Sequence, residues 1–307
     1  MRLRLLDLDG ALDQQAAIRQ ALTDGVMTRI EARDLASRLR IVASRTAFDA
    51  LSERLHSACS GGQGPLITFY GSGDFHHVTT ALIGLCEGPL TVLHFDNHPD
   101  WVKFPKTHNC GAWVNRALEL EHVMRVVTLG PTSDDLVRPQ WQMANLRALE
   151  TGHMALFPFR HAPSRVFGTF APSPSYDFHD GALHWTCLEE RSVEAILALI
   201  LPLISTEKVY ITFDKDVLQS REAATNWDQG LMPLATVCAV IKAVAQRYEI
   251  VGLDICGDWS QPVFADPFRW FLSACDRSVA APDEDALACN AQTNAQLLSL
   301  IEDLFAA

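Results

Sequence analysis

The sequence predicts an α/β fold built on a mostly parallel sheet, and three observations carry that prediction. Short apolar runs of β-branched and aromatic residues alternate with segments of helical period along most of the 307 residues. Each run gives way to a polar turn and then to a helical pattern, which implies parallel strands with helices on both faces of the sheet. Three of the runs also end in metal-capable residues, and open parallel sheets bind ligands beyond the carboxyl ends of their strands.

In chain order, RLRLLDL (2–8) reads as a first strand and the segment from about Thr28 to His56 as helix. LITFY (66–70) is a strand that ends in Gly71-Ser72-Gly73-Asp74-Phe75-His76-His77. Behind it Val78, Ala81, Leu82 and Leu85 repeat at helical spacing, and Gly88-Pro89 stops that helix. Thr91 to Phe95 form a buried strand that empties into Asp96-Asn97-His98-Pro99-Asp100. A helix from about Gly111 to Glu121 carries Val114, Ala117 and Leu118 on one stripe, and RVVTL (125–129) is a strand closed by Gly130-Pro131. The region 131–190, with its prolines and scattered aromatics, is the least periodic and reads in part as cover for the mouth of a site. A buried helix over 192–204, strand KVYITF (208–213), a helix over 234–247, strand EIVGLDI (249–255) and a last helix over 286–305 complete the alternation.

Composition narrows the function. A hydrophobic content of 48% against 20% charged residues suits a large core. The net charge of −12 argues against nucleic acid or an anionic membrane as partner. Eight cysteines occur without a CxxC pair, as expected of reduced thiols rather than disulfides or a structural zinc site. MRLRLLDLDG has acids where a secretory signal needs its apolar core, and the longest apolar run, VEAILALILPLI (193–204), is too short to span a bilayer. The expectation is a cytoplasmic, soluble protein, one domain over 1–307, that acts on a small molecule.

The strand ends suggest the chemistry. Asp96, His98 and Asp100 alternate, so extended backbone points all three one way, and Pro99 keeps the residue before it extended. LITFY leads to His76 and His77, and KVYITF to Asp214-Lys215-Asp216, where alternation turns Lys215 away from the two aspartates. Carboxylates packed this closely repel one another unless a cation neutralises them. Oxygen and imidazole donors together suit a borderline divalent ion. Two ions sharing carboxylates would use this many donors and would activate water at neutral pH.

GSGDFHH, FDNHPD and TFDKD together resemble the ureohydrolase superfamily of arginases, agmatinases and formiminoglutamases, in that family's order over about residues 66 to 260. The resemblance implies a three-layer α/β/α, arginase-like fold and two manganese ions, and it favours a homo-oligomer. It places His76, Asp96, Asp100 and Asp214 on one metal and Asp96, His98, Asp214 and Asp216 on the other, with Asp96 and Asp214 bridging. Asp100 would also orient the attacking water. The glycine-rich turn is one residue longer than the family's, which leaves His77 as the alternative to His76; the register of the following helix favours His76.

Two departures bear on substrate. In His108-Asn109-Cys110-Gly111, Cys110 stands where the family has a catalytic histidine, which leaves His108 and Cys110 as candidate proton donors. In GLDICGDWS, Gly257 stands where guanidine-cleaving relatives have a glutamate, followed by Asp258 as a candidate contact for a cationic group. Asn226, Trp227 and Asp228, in the loop that resembles the family's pocket lining, are further substrate-contact candidates. The implied activity is hydrolysis of a C–N bond in an amidine, guanidino or amide compound other than free L-arginine. The competing readings are a metal-binding paralogue without turnover, a deacetylase-like amidohydrolase and, from Asp7 and Asp9 in LLDLDGAL, a haloacid-dehalogenase-type phosphatase.

Overall fold

A computed structural model describes residues 1–59, 62–265 and 284–305. The chain opens with β1 (Arg2–Asp7), α1 (Ala16–Thr23), β2 (Met27–Glu31), α2 (Arg33–Leu39) and α3 (Arg45–Cys59). Next come β3 (Leu66–Tyr70), α4 (Thr79–Ile83), β4 (Leu90–Phe95), α5 (Trp113–Ala117), β5 (Val123–Leu129), α6 (Leu146–Glu150) and β6 (Met154–Phe157). A small antiparallel sheet of β7 (Ser164–Arg165), β8 (Tyr176–His179) and β9 (Ala182–Trp185) occupies much of the aperiodic region. The described chain ends with α7 (Val193–Ile200), β10 (Lys208–Asp214), α8 (Leu234–Ala245), β11 (Glu249–Cys256) and α9 (Glu284–Phe305).

Eight strands form one sheet in the order β2-β1-β3-β11-β10-β4-β5-β6, every pairing parallel. Because side chains alternate across a strand, each strand feeds two cores. Ile67, Phe69, Leu93, Phe95, Ile211 and Phe213 pack with Ile18, Ile196, Val237 and Leu297 of α1, α7, α8 and α9. Tyr70, Val92, Val126 and Tyr210 pack with Leu35, Leu51, Leu82 and Val114 of α2 to α5 on the other face. The fold is the expected α/β/α sandwich. No helix of the described residues is long and apolar enough to cross a membrane.

Four local expectations change. The helix expected from Thr28 is strand to Glu31, since Thr28 and Ile30 are β-branched and β2 pairs along β1 from Leu3↔Met27 to Asp7↔Glu31. Helix then breaks between Leu39 and Arg45, where Ile41 has φ +62°, outside helical geometry. The helix expected over 111–121 is a 3-10 turn, Cys110–Ala112, and the short α5, because the chain turns toward β5 by Leu120. The run at 193–204 is an amphipathic helix, Val193–Ile200, with Ile196 and Ile200 buried, which tightens to a 3-10 turn at Leu201–Leu203 around Pro202 before the buried Ile204. β6 went unrecognised because four residues, Met154–Phe157, give too short a pattern.

Candidate metal centre

The centre sits on four adjacent strands, β3, β11, β10 and β4, at their carboxyl ends. The strand register builds its floor. Thr68 pairs with Asp254, Asp254 with Thr212, Thr212 with His94, and His94 with Thr128, so five buried polar residues form one row across the sheet. Two residues further along, the same face presents Asp96 beyond β4 and Asp214 at the end of β10. The 3-10 turn Gly73–Val78 brings His76 over them, started by Ser72, whose side chain accepts from Asp74 N. Gly73 and Gly257 are required here: a Cβ on either would collide with the Asp214 carboxylate, and Gly257 also has φ +91°.

The donors converge. Ligand atoms of His76, Asp96 and Asp100, with His94 beside them, lie within 4.8 Å of one another, as do those of Asp96, His98 and Asp216 and those of His76, Asp214 and Cys256. His76 Nδ1 is 2.9 Å from Asp96 Oδ2, 3.3 Å from Asp100 Oδ2 and 3.6 Å from Asp214 Oδ2. His98 Nδ1 is 3.0 Å from Asp216 Oδ2 and 3.4 Å from Asp96 Oδ1. Asp96 thus stands between two groups of donors. All six residues proposed from sequence are brought together, and His76 rather than His77 faces the cluster. The His77 ring lies toward Phe48, with centroids 6.4 Å apart.

Supporting hydrogen bonds decide which nitrogen each histidine presents. Thr212 Oγ1 donates its one hydrogen to Asp254 Oδ1 at 2.8 Å, so it accepts from His76 Nε2 at 2.9 Å, which turns Nδ1 to the cluster. Asp254 also accepts from Tyr210 Oη, Thr79 Oγ1 and Tyr70 Oη. His94 Nε2 lies 2.9 Å from Asp96 Oδ2 and its Nδ1 3.1 Å from Thr128 Oγ1. Burial holds the His94 pKa down, so the neutral ring donates from Nε2 to Asp96 and accepts from Thr128 at Nδ1. Trp113 Nε1 donates to Asp100 Oδ2 at 2.6 Å, and Asp100 takes a φ of +48°, a conformation aspartate tolerates. Sequence reading missed His94, Thr212 and Asp254, although the first two lie one alternation step before Asp96 and Asp214.

The electrostatics suit a bound cation. Burial, then the Asp96 charge, raise the Asp100 pKa to about 8. Burial and the charges of Asp214 and Asp96 push Asp216 well above the carboxylate range. Burial opposes charge on Asp96 too, but hydrogen bonds from His76, His94 and His98 hold it well below that range. His76 and His98 are held well above the usual imidazole value, against burial, by Asp100 and Asp96 for the first and by Asp216 and Asp228 for the second. Protons on these groups occupy the place a divalent ion would neutralise. The donor set, oxygen with two imidazoles, fits such ions.

A cavity of about 980 Å³ opens over the cluster, and Trp101, Cys110, Asn226, Trp227 and Asp228 are among its walls. Asp228 Oδ1 meets His98 Nε2 at 2.9 Å. Asn226 is committed to structure: its Oδ1 accepts from Ser72 Oγ at 2.7 Å and Ser260 N at 3.0 Å. Two candidates lie elsewhere. His108 stacks on Phe48 with ring centroids 3.6 Å apart and does not line the cavity, an aromatic packing its spacing from Cys110 could not reveal. Asp258 is 1% exposed and accepts from Lys215 Nζ at 2.5 Å and Gln15 Nε2 at 2.8 Å. This pairing turns Asp258 away from the cavity and takes Lys215 away from the cluster. Asp7 is paired with Arg29 and Arg33, and Asp9 accepts from Ser72 N at 3.0 Å beside Arg40. With both carboxylates so engaged and the strand order of a different fold, the phosphatase reading falls.

No family model matches the sequence. A protein of Thermotoga maritima described only as uncharacterized is 26% identical over 192 residues, 62% of this chain. The chain spans 58% of that relative's length. Solved structures match across almost the whole chain. Formimidoylglutamase from Bacillus subtilis subsp. subtilis str. 168 aligns with a TM-score of 0.61 and 15% identity, covering 99% of this chain and 87% of that one. Arginase from Bacillus subtilis aligns with a TM-score of 0.58 and 14% identity, covering 100% and 99%. Proclavaminate amidino hydrolase from Streptomyces clavuligerus gives 0.56 and 14%, covering 97% and 91%. The chain therefore has the arginase-like α/β fold that these solved structures share.

Proposed function

We propose that this protein is a metal-dependent hydrolase that cleaves a C–N bond in an amidine, guanidino or amide compound. The observation that carries the reading is the convergence of His76, Asp96, His98, Asp100, Asp214 and Asp216 under one cavity. His76, Asp96, Asp100 and Asp214 would hold one divalent ion and Asp96, His98, Asp214 and Asp216 a second, manganese being the ion the resemblance favours. When bound, such a pair lowers the pKa of water and polarises a trigonal carbon. Asp100, its Oδ2 held by Trp113, would orient the attacking water. Cys110, on the cavity wall, would deliver a proton to the leaving nitrogen.

Free L-arginine would be a poor substrate. The loop after β11 offers Gly257 and then an Asp258 already bound to Lys215, so neither presents a guanidinium with the paired carboxylate oxygens it favours. Elemental analysis of manganese-loaded protein should give close to two ions per chain. Asp96→Ala and Asp214→Ala should each lose metal, and wild-type stoichiometry in both would overturn the assignment. A urea-release assay with arginine tests the substrate half.

A further inference from the structure

The register that builds the floor of the centre also places a sulfur beside it. β11 pairs with β10 at Asp254↔Thr212 and again, two residues on, at Cys256↔Asp214. Residues two apart in a strand share a face, so Cys256 stands over Asp254 as Asp214 stands over Thr212. Cys256 is fully buried, and its Sγ donates to Asp214 Oδ2 at 3.2 Å. The same oxygen lies 3.6 Å from His76 Nδ1, and one donor atom from each of the three residues falls within 4.8 Å of the others. Donors that share an ion at about 2.0–2.3 Å stand roughly 3–4 Å apart. Directly after Cys256 the chain is tied down, because Gly257 N donates to Gly71 O at 3.0 Å. Cys110 lines the cavity and Cys256 does not, so a sulfur ligand here leaves the open side of the centre to a substrate.

A thiol is a weak hydrogen-bond donor, and a serine would serve Asp214 better in that role. What sulfur adds is affinity for softer ions: thiolate ligands favour zinc, whereas carboxylates and water suit manganese. We propose that Cys256 is a sulfur ligand at the metal position of His76 and Asp214, and that this position selects zinc over manganese. Coordination exchanges the S–H bond for an S–metal bond and releases the proton to solvent. Cys256 lies outside the three motifs that carry the family resemblance, GSGDFHH, FDNHPD and TFDKD. The proposal rests on the metal-dependent hydrolase reading and amends its ion.

Cobalt(II) is the probe, because its thiolate complexes absorb strongly in the near ultraviolet by sulfur-to-metal charge transfer, a band that oxygen and nitrogen ligands do not give. The whole chain, stripped with chelator and titrated with cobalt, should develop that band in step with bound metal. Cys256→Ser should abolish it while cobalt still binds, and Cys110→Ser should retain it. Zinc outcompetes manganese at many nitrogen–oxygen sites, so the preference is read as a change. The ratio of zinc to manganese affinity should fall at least roughly tenfold in Cys256→Ser, the scale on which the surroundings of a ligand act. Cobalt bound to the wild type without the band would overturn the proposal whatever the variants do. A band that survives Cys256→Ser, or an unchanged zinc preference, would overturn it too. Elemental analysis of the same samples separates the two readings: bound metal without the band removes the sulfur ligand alone, whereas no bound metal removes the hydrolase reading with it.

Discussion

The chemistry of the centre depends on side chains that touch no ligand. Thr212 bridges Asp254 and His76, and through that bridge the buried carboxylate sets which imidazole nitrogen faces the cluster. Thr212→Val keeps the shape and removes the bridge. Manganese affinity should fall by roughly ten- to a hundredfold, the usual effect of losing a hydrogen bond to a metal ligand, with the circular-dichroism spectrum unchanged. Unaltered affinity would mean that packing alone holds the ring. Cys110 and His108 form the second residue-scale test. Cys110→Ala should lower turnover of an active substrate by roughly two to four orders of magnitude if its thiol is the proton donor. His108→Ala, which removes a ring stacked on Phe48, should leave turnover intact and cost only stability. The reverse pattern would move the acid to His108 and require that ring to leave its stack.

Between residues and molecule, the glycine-rich turn after β3 is the element on which assembly of the centre depends. Arg40, 2% exposed, ties it down: its guanidinium reaches Asp74 at 2.5 Å, Asp9 at 3.3 Å and Ser260 Oγ at 2.8 Å. Arg40→Ala would strand two buried carboxylates, and the loss should be about 3–5 kcal/mol, read as a lowered urea midpoint with the slope unchanged. The same element marks how far sequence reading reached. The strands were legible because their apolar runs are local patterns, but strand alternation does not carry past their ends. Bends follow Asp96, Asp100 has φ +48° and Asp216 lies in a 3-10 turn, Lys215–Val217, so turn geometry rather than extended backbone gathers the donors. The Arg40 anchor was not legible, since Asp9, Asp74 and Ser260 reach it from three distant parts of the chain. The polar row from Thr68 to Thr128 was equally hidden, because register between strands is a property of the sheet. His108 was misplaced for a similar reason: proximity to Cys110 along the chain says nothing about Phe48.

For the molecule as a whole, the centre couples stability to pH and to metal. In the metal-free protein Asp100 keeps its proton to about pH 8, whereas an unfolded aspartate loses it near pH 4. The native state therefore holds more protons than the unfolded state between those values, and stability falls as pH rises through them. The raised His76 and His98 act in the same direction: their contribution is complete below the ordinary imidazole value of about 6.5 and is lost as pH climbs through their native values. A metal displaces these protons, so manganese should raise the melting temperature more at about pH 8 than at about pH 6. Calorimetric melts with and without chelator check this, and a metal-free protein that melts higher at alkaline pH would contradict it. The strand order carries a consequence for biosynthesis. β3 and β4 are made early but are not neighbours; β10 and β11, made more than a hundred residues later, lie between them. When β3 and β4 have been made, the chain holds His76 and Asp96 but neither Asp214 nor Asp216. Pairing of β10 and β11 between β3 and β4 closes that gap in the hydrogen-bond ladder and brings the candidate donors together, so a metal that needs all of them would bind only after β10 is in place.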